Sequence, residues 1–206
     1  NTKLIFRISG YIRFNFLRKL LWIKSEKKIL KVLCQTNAQK KFLLENNIFD
    51  RTKLFLLPDA IINVKEFTKK VNNTDFKLLK NEEKNYFLAA GRFTRQKNFI
   101  YLIKEFKKFC SKYPNEKLLI FGEGELKKKM KDEVKNNNLI NNIKIFNFTE
   151  NIYYYMKHSK AFILPSLWEE VGLVIVEAAM CNSFVISSNC KNGPAEFLSN
   201  GKAGLL

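Results

Sequence analysis

Residues 161–181 read AFILPSLWEEVGLVIVEAAMC, and three textures follow one another within them. Ala161 to Leu164 is a short unbroken apolar run, the pattern of a strand buried on both faces. Pro165 ends it, because proline has no N–H for a sheet ladder. A loop with Trp168, Glu169 and Glu170 leads to Gly172. From Leu173 to Cys181 the chain has the length and packing residues of a helix. Strand, loop and helix in immediate succession make half of a βαβ unit, the building block of a parallel sheet.

Outward from this stretch the same alternation recurs. Residues 86–90, 117–121, 142–146 and 184–187 read as further strands, and residues 99–111, 126–137, 152–158 and 194–198 as helices. Five strands with crossovers make a nearly whole Rossmann-like domain over residues 85–206. Ahead of it, strands at 3–8, 29–35 and 53–57 with helices at 14–28 and 38–46 make only part of a second such domain, over residues 1–65. From Val64 to Asn85 the pattern lapses into Asn and Lys with few apolar anchors, and residues 66–84 are expected to be a linker. The chain starts at Asn1 close to the apolar run Leu4, Ile5, Phe6 and stops at Leu206 after Gly204 and Leu205, so both ends read as cut.

Composition narrows the classes. An apolar fraction of 46% over 206 residues supports buried cores and argues against disorder. The formal charge of +18 raises the question of a polyanionic partner. Lys and Asn are spread along the whole chain, however, as in Lys127 to Lys131 and Asn136 to Asn138, so the charge reads as compositional bias and no nucleic-acid partner is expected. Cys34, Cys110, Cys181 and Cys190 lie far apart without metal-ligand spacing, which suits a reducing cytoplasm. His158 is the only histidine, so a His-based triad or zinc site cannot be assembled here, and an ordinary surface role is expected of it. No apolar run approaches the roughly 18–20 residues that span a bilayer. Between Arg7 and Lys31, Arg13, Arg18, Lys19, Lys24, Lys27 and Lys28 interleave with Phe14, Phe16, Leu17, Leu20, Leu21, Trp22 and Ile23. Two readings fit that stretch: a helix lying on an anionic membrane, or a core-facing helix with a Lys-rich outer side.

In open α/β sheets ligands sit beyond the carboxyl ends of the strands, which directs attention to four junctions. After the strand at 86–90 come Gly91, Arg92 and Lys97, two cations that converge on a diphosphate if the loop folds over it. After 117–121 come Gly122 and Gly124, a turn that lets a ligand approach the backbone. The third glycine of the dinucleotide fingerprint is absent, since Lys127 stands in its place, so NAD is rejected as a ligand. After 161–164 come Glu169 and Glu177, with the helix opening at Gly172, Leu173 and Val174 as an anion site. Carboxylates beside an anion site call for hydroxyl partners, as a sugar provides. The fourth junction, Asn192-Gly193-Pro194-Ala195-Glu196, reads as a helix start.

Together these segments resemble the retaining glycosyltransferases of family four, two Rossmann-like domains facing across a cleft in the GT-B fold. The most specific element is Glu169 to Glu177, a Glu-x7-Glu pattern within Pro-Ser-x-x-Glu-x-x-Gly-Leu-x-x-x-Glu-Ala. The resemblance implies a donor diphosphate on Arg92 and Lys97 and its ribose on Glu177. The donor sugar falls to Glu169, and the backbone of Gly172, Leu173 and Val174 holds phosphate and sugar. Gly122 and Gly124 also border the donor. Arg92, Lys97 and Glu169 are thus the expected catalytic groups, residues 85–206 the nucleotide-sugar domain, and residues 1–65 an acceptor-side remnant too incomplete for activity alone. The loop at Gly193 looks like that of members using acetamido sugars on UDP. Glu170, Asn98 and Asn182 depart from glycines common in that family.

The implied reaction moves a hexose or acetamido-hexose from a nucleotide diphosphate sugar to a saccharide or lipid-linked acceptor, in surface polysaccharide or lipopolysaccharide synthesis at the cytoplasmic face of the membrane. No Asp-x-Asp motif is visible, so no metal and no cofactor are expected. A non-catalytic nucleotide or polyanion binder, or an epimerase or phosphorylase of the same fold, are the rival readings.

Overall fold

The computed structural model describes residues 3–10, 12, 15–59, 62–73, 85–190 and 192–206. The first lobe runs β1 (Leu4–Arg7), α1 (Phe16–Ser25), β2 (Ile29–Cys34), α2 (Asn37–Glu45) and β3 (Leu54–Leu56), with the strands parallel in the order β1-β2-β3. Val32, Cys34, Leu43, Ile48 and Phe49 form its core. Trp22 closes one side, edge-on to Phe6 at 5.2 Å and stacked on Phe49 at 5.8 Å. Short polar side chains start the helices: Asn15 accepts from the Arg18 N–H, and Thr36 from the Gln39 N–H. The expected helix over 14–28 is shorter than read, with residues 26–28 wound as a 3₁₀ turn, and its residue 14 lies outside the described residues. No side chain of α1 is buried, and Phe16 is 79% exposed.

The stretch expected to be a linker from residue 66 is instead helical in its first part. Helix α3 (Val64–Asn72) is capped by Asn63, whose side chain accepts from the N–H groups of Lys65 and Glu66. Phe67 and Val71, a turn apart, pack against the larger lobe. Those two anchors are enough once tertiary packing adds to them, and the surrounding lysines conceal them in the sequence. Residues 74–84, the rest of the expected linker, lie outside the described residues.

The second lobe contains β4 (Phe87–Ala90), α4 (Phe99–Lys112), β5 (Leu118–Phe121), α5 (Lys127–Asn136), β6 (Ile143–Phe146), α6 (Ile152–Lys157), β7 (Ala161–Leu164), α7 (Leu173–Met180), β8 (Phe184–Ser187) and α8 (Gly193–Phe197). Its strands are all parallel, in the order β6-β5-β4-β7-β8. Alternation along each strand feeds two cores. Leu88, Ala90, Leu119 and Phe121 point into one with Ile175 and Ala178 of α7. Ala89, Leu118 and Ile120 point into the other with Phe99, Ile103, Met130 and Val134 of α4 and α5. Each Leu, Ile, Phe, Met or Val among them contributes about 1.5–3 kcal/mol by leaving water. The strand order reverses between β4 and β7, so a crevice opens beyond their carboxyl ends.

Candidate functional site

The loops leaving β4 and β7 meet at that crevice and are stitched together. Leu167 N–H donates to the Gln96 carbonyl at 2.9 Å, Gln96 Nε2 to the Trp168 carbonyl at 2.9 Å, and Asn98 Nδ2 to the Pro165 carbonyl at 3.2 Å. Asn98 sits at φ 56°, a left-handed conformation asparagine tolerates better than most residues, which accounts for its standing where the resemblance has glycine. This stitching brings Lys97 Nζ within 2.5 Å of Glu169 Oε1, with Ser166 Oγ donating to the same oxygen at 2.6 Å. Both partners are nearly enclosed, at 12% and 7% side-chain exposure. The Lys97 stem lies over Gly91, where a Cβ would come within 3.2 Å of its Cε.

Gly122, leaving β5, sits at φ 151°, and a Cβ there would stand 1.9 Å from the Gly91 carbonyl oxygen. The exits of β4 and β5 are therefore backbone against backbone, a contact only glycine allows. Gly124 does something else. It packs on the Phe93 backbone, where a Cβ would meet the carbonyl oxygen at 2.6 Å, and it lines neither cavity of the crevice. Its backbone packing on Phe93 gives it a turn-packing role in this structure. Arg92 is exposed at the rim of both cavities.

Gly172, at φ 71°, turns the chain into α7. No described residue accepts from the N–H groups of Gly172, Leu173 or Val174, so the positive end of the helix faces the crevice with its donors free. Glu177 lies one turn further along, lining both cavities. Its Oε1 accepts from the Tyr153 hydroxyl at 3.2 Å. Burial pushes its carboxyl above the ordinary range, and the Tyr153 bond pulls the other way. Tyr153 itself is pushed up to about 12 by burial and the neighbouring Glu177. Phe67 of α3 holds the Tyr153 ring edge-on at 5.1 Å, and Asn151 Nδ2 donates to the Lys70 carbonyl at 2.9 Å.

The first lobe forms the opposite wall. A cavity of about 760 Å3 takes in Arg7, Gly10, Gln35 and Asp59 from that lobe and Arg92, Lys97, Glu169, Glu170 and Glu177 from the other. A second cavity of about 480 Å3 continues past Glu177 to Phe148 and Tyr153. Asp59 pairs with Arg7 and accepts from Gln35 Nε2. Two carboxylates of the second lobe reach across to α2. Glu170 Oε1 accepts from Gln39 Nε2 at 2.6 Å. Glu196 accepts from the Asn37 N–H at 3.0 Å, the Asn37 Nδ2 at 2.8 Å and the Ala38 N–H at 3.2 Å, capping α2 from the other lobe.

The crevice thus gathers Arg92, Lys97, Gly122, Glu169, Gly172, Leu173, Val174 and Glu177, and leaves Gly124 aside. Sequence reasoning missed Tyr153, Gln35, Asp59 and Arg7 as crevice residues. Tyr153 had a signal, in that Ile152–Lys157 opens with three consecutive tyrosines after a capping Asn151. His158 is half-buried, its Nδ1 2.7 Å from the Tyr154 carbonyl oxygen, in place of the surface role expected of it. Among the described residues no helix is long and apolar enough to cross a membrane.

Two Rossmann-like lobes with a crevice between them, lined by Arg92, Lys97 and the opening of α7, define a fold of the GT-B class. The chain belongs to the glycosyl transferases group 1 family, whose profile matches residues 70–206. It is 32% identical to an uncharacterised glycosyltransferase of Methanocaldococcus jannaschii, over 94% of this chain and 52% of that protein. It is 28% identical to the UDP-Gal:alpha-D-GlcNAc-diphosphoundecaprenol alpha-1,3-galactosyltransferase of Escherichia coli, over 91% of this chain and 50% of that protein. The chain therefore spans about half the length of these curated relatives. Among solved structures, Anabaena HepE in complex with UDP superposes with a TM-score of 0.78 at 16% identity, over 99% of this chain and 58% of that one. A mutant of S. aureus TarM in complex with fondaparinux, alpha-GlcNAc-glycerol and UDP gives 0.76 at 22%, over 99% and 40%. At these identities the likeness is one of fold.

Proposed function

We propose that this chain is the donor-binding part of a retaining glycosyltransferase that moves a hexose or acetamido-hexose from a UDP-sugar to a saccharide or lipid-linked acceptor. One observation carries the reading: Arg92, the Lys97–Glu169 pair, the free N–H groups opening α7 and Glu177 all face one crevice. Cations and helix dipole suit a diphosphate, and carboxylates suit the hydroxyls on either side of it. Relatives named for transfer to diphosphoundecaprenol and for amylovoran biosynthesis, and fold neighbours in complex with UDP, agree with it.

Breaking the bond from the anomeric carbon to phosphate builds negative charge on the leaving diphosphate. Arg92, Lys97 and the α7 N-terminus stabilise that charge in place of a divalent metal, by dipoles set before reaction. Glu169 holds Lys97 in position until the donor arrives and then meets the donor sugar. Glu177 takes the ribose. The exposed apolar side chains Phe16, Leu17, Leu20 and Leu21 of α1, beside Arg18, Lys19 and Lys24, support peripheral docking on an anionic membrane at its cytoplasmic face.

The test is calorimetry and turnover on the full-length enzyme with UDP-, GDP- and ADP-sugars. Turnover of a UDP-sugar is expected. Glu177→Gln is expected to weaken UDP about tenfold, the loss of one charge-assisted hydrogen bond, with pyrophosphate binding unchanged. Equal losses for UDP and pyrophosphate overturn the ribose assignment.

A further inference from the structure

The main cavity has two unlike ends. At one stand Arg92, Lys97 and the helix opening at Gly172. At the other stand Gln35, Asp59 and Glu170, with Gly10 and Arg7 beside them. Glu169 and Glu170 are adjacent on one loop and turn to opposite ends, Glu169 to Lys97 and Glu170 to Gln39.

Asp59 is committed on both oxygens, one to Arg7 and the other to Gln35. Glu170 is committed on one. Its Oε1 accepts from Gln39, itself almost fully buried and anchored by accepting from the Gln35 N–H at 2.9 Å. Its Oε2 has no donor among the described residues and faces Gly10, where an added Cβ would stand in ordinary van der Waals contact with it at 3.8 Å. The Glu170 carbonyl accepts from the Gly193 N–H at 2.7 Å, so the backbone that presents this carboxylate is tied down.

We propose that Glu170 is the specificity-determining residue for the acceptor, its Oε2, without a donor among the described residues, accepting a hydrogen bond from a hydroxyl of an uncharged saccharide. This rests on the transferase reading above, and it assigns a role to a side chain where the resemblance has only glycine. The argument runs from charge. A diphosphate belongs at the cationic end, so whatever enters from the far end meets carboxylates and amides. A phosphate or carboxylate there is repelled, whereas a sugar hydroxyl completes an acceptor left unfilled. Arg7 is bonded to Asp59 and acts on Glu170 only through space, as the weakest of the influences on that carboxyl.

Titration supplies an independent readout. Burial, and secondarily the nearby Asp59, push the Glu170 carboxyl up to about 7, while the Gln39 bond and Arg7 pull it down. A hydroxyl donating to Oε2 favours the ionised form, so acceptor affinity rises with pH through about 7.

The experiment uses the full-length enzyme, its Glu170→Gln and Glu170→Gly variants, UDP-glucose, UDP-galactose and UDP-N-acetylglucosamine as donors, and octyl glucoside, galactoside and N-acetylglucosaminide as acceptors. The expected result is an acceptor KM raised about tenfold or more in both variants, the worth of a hydrogen bond to a charged group. UDP affinity stays within about twofold, showing that the crevice remains folded. In the wild type, acceptor kcat/KM climbs between pH 6 and 8, and in Glu170→Gln it stays flat. Unchanged acceptor KM, or a parallel loss of UDP affinity, overturns the assignment of Glu170 while leaving the transferase reading intact. A wild-type enzyme that uses none of these donors with any of these acceptors overturns both.

Discussion

The larger lobe buries every residue of β5, whereas β1 at the edge of the smaller lobe leaves Leu4 and Ile5 exposed, the latter at 61%. The larger sheet is covered on both faces by helices from its own stretch of chain, and the loops that form the crevice grow directly from that packed sheet. The smaller lobe reaches the crevice through polar links, chiefly Gln39 to Glu170 and the first turn of α2 to Glu196. Rigid presentation of the cationic end and adjustable presentation of the opposite end follow from this difference. Catalytic electrostatics gain most from groups that do not move, so the roles proposed for Lys97 and α7 are served by their place on the better-packed lobe.

The comparison breaks first on core deletions. Ile120→Ala, at the centre of β5, is expected to cost about 2–5 kcal/mol, and Ile5→Ala no more than about 0.5 kcal/mol. Trp22 in the smaller lobe and Trp168 in the larger give each its own fluorophore, so denaturant curves of single-tryptophan variants assign the loss to a lobe. Equal costs at the two positions contradict the asymmetry.

The two cations sharpen it. Lys97→Ala leaves the enclosed Glu169 carboxylate without its partner and is expected to cost about 3 kcal/mol, partly restored by adding Glu169→Gln. Arg92→Ala, at an exposed position, is expected to change stability by less than about 0.5 kcal/mol. Both are expected to weaken UDP. Thermal melts and calorimetry on the same samples separate the two effects, and a Lys97→Ala protein as stable as wild type shows that the pair contributes nothing to folding.

The smallest effect is a pH dependence. The Glu170 carboxyl titrates higher in the folded protein than in the unfolded chain, so its contribution to stability is complete below the ordinary Glu range. That contribution is lost as pH rises through about 7. Glu170→Gln is accordingly expected to gain on wild type by about 1 kcal/mol between pH 5 and pH 8, the value being reduced because the group is half in solvent. Melting temperatures at the two pH values check it, and a constant difference refutes the shift.

Strand placement in the larger lobe was readable because β4, β5 and β7 are short apolar runs closed by Gly91, Gly122 and Pro165. Helix α3 escaped because Phe67 and Val71 stand alone among lysines. The residues expected to line the crevice sit just after strands, where parallel topology sends them, and this needs no knowledge of distant contacts. The Lys97–Glu169 pair joins residues 72 apart in sequence. The Glu196 cap on α2 joins residues 159 apart from Asn37. Charge-to-charge matches at such separations have no local trace in a sequence, and Glu196 looked only like the first turn of its own helix. The packing contact of Gly124 had no trace for a related reason, since a turn glycine that packs on Phe93 has the same spelling as one that makes room for a ligand.

The cap has a use for the experimenter. The amide protons of Asn37 and Ala38 depend on an acceptor owned by the opposite lobe, and nothing within α2 shelters them. Their exchange with deuterated solvent therefore reports the population of the parted lobes without any unfolding of the helix. Two backbone amides thus act as a native gauge of how open the cleft stands, readable with and without UDP and without a label attached to the protein.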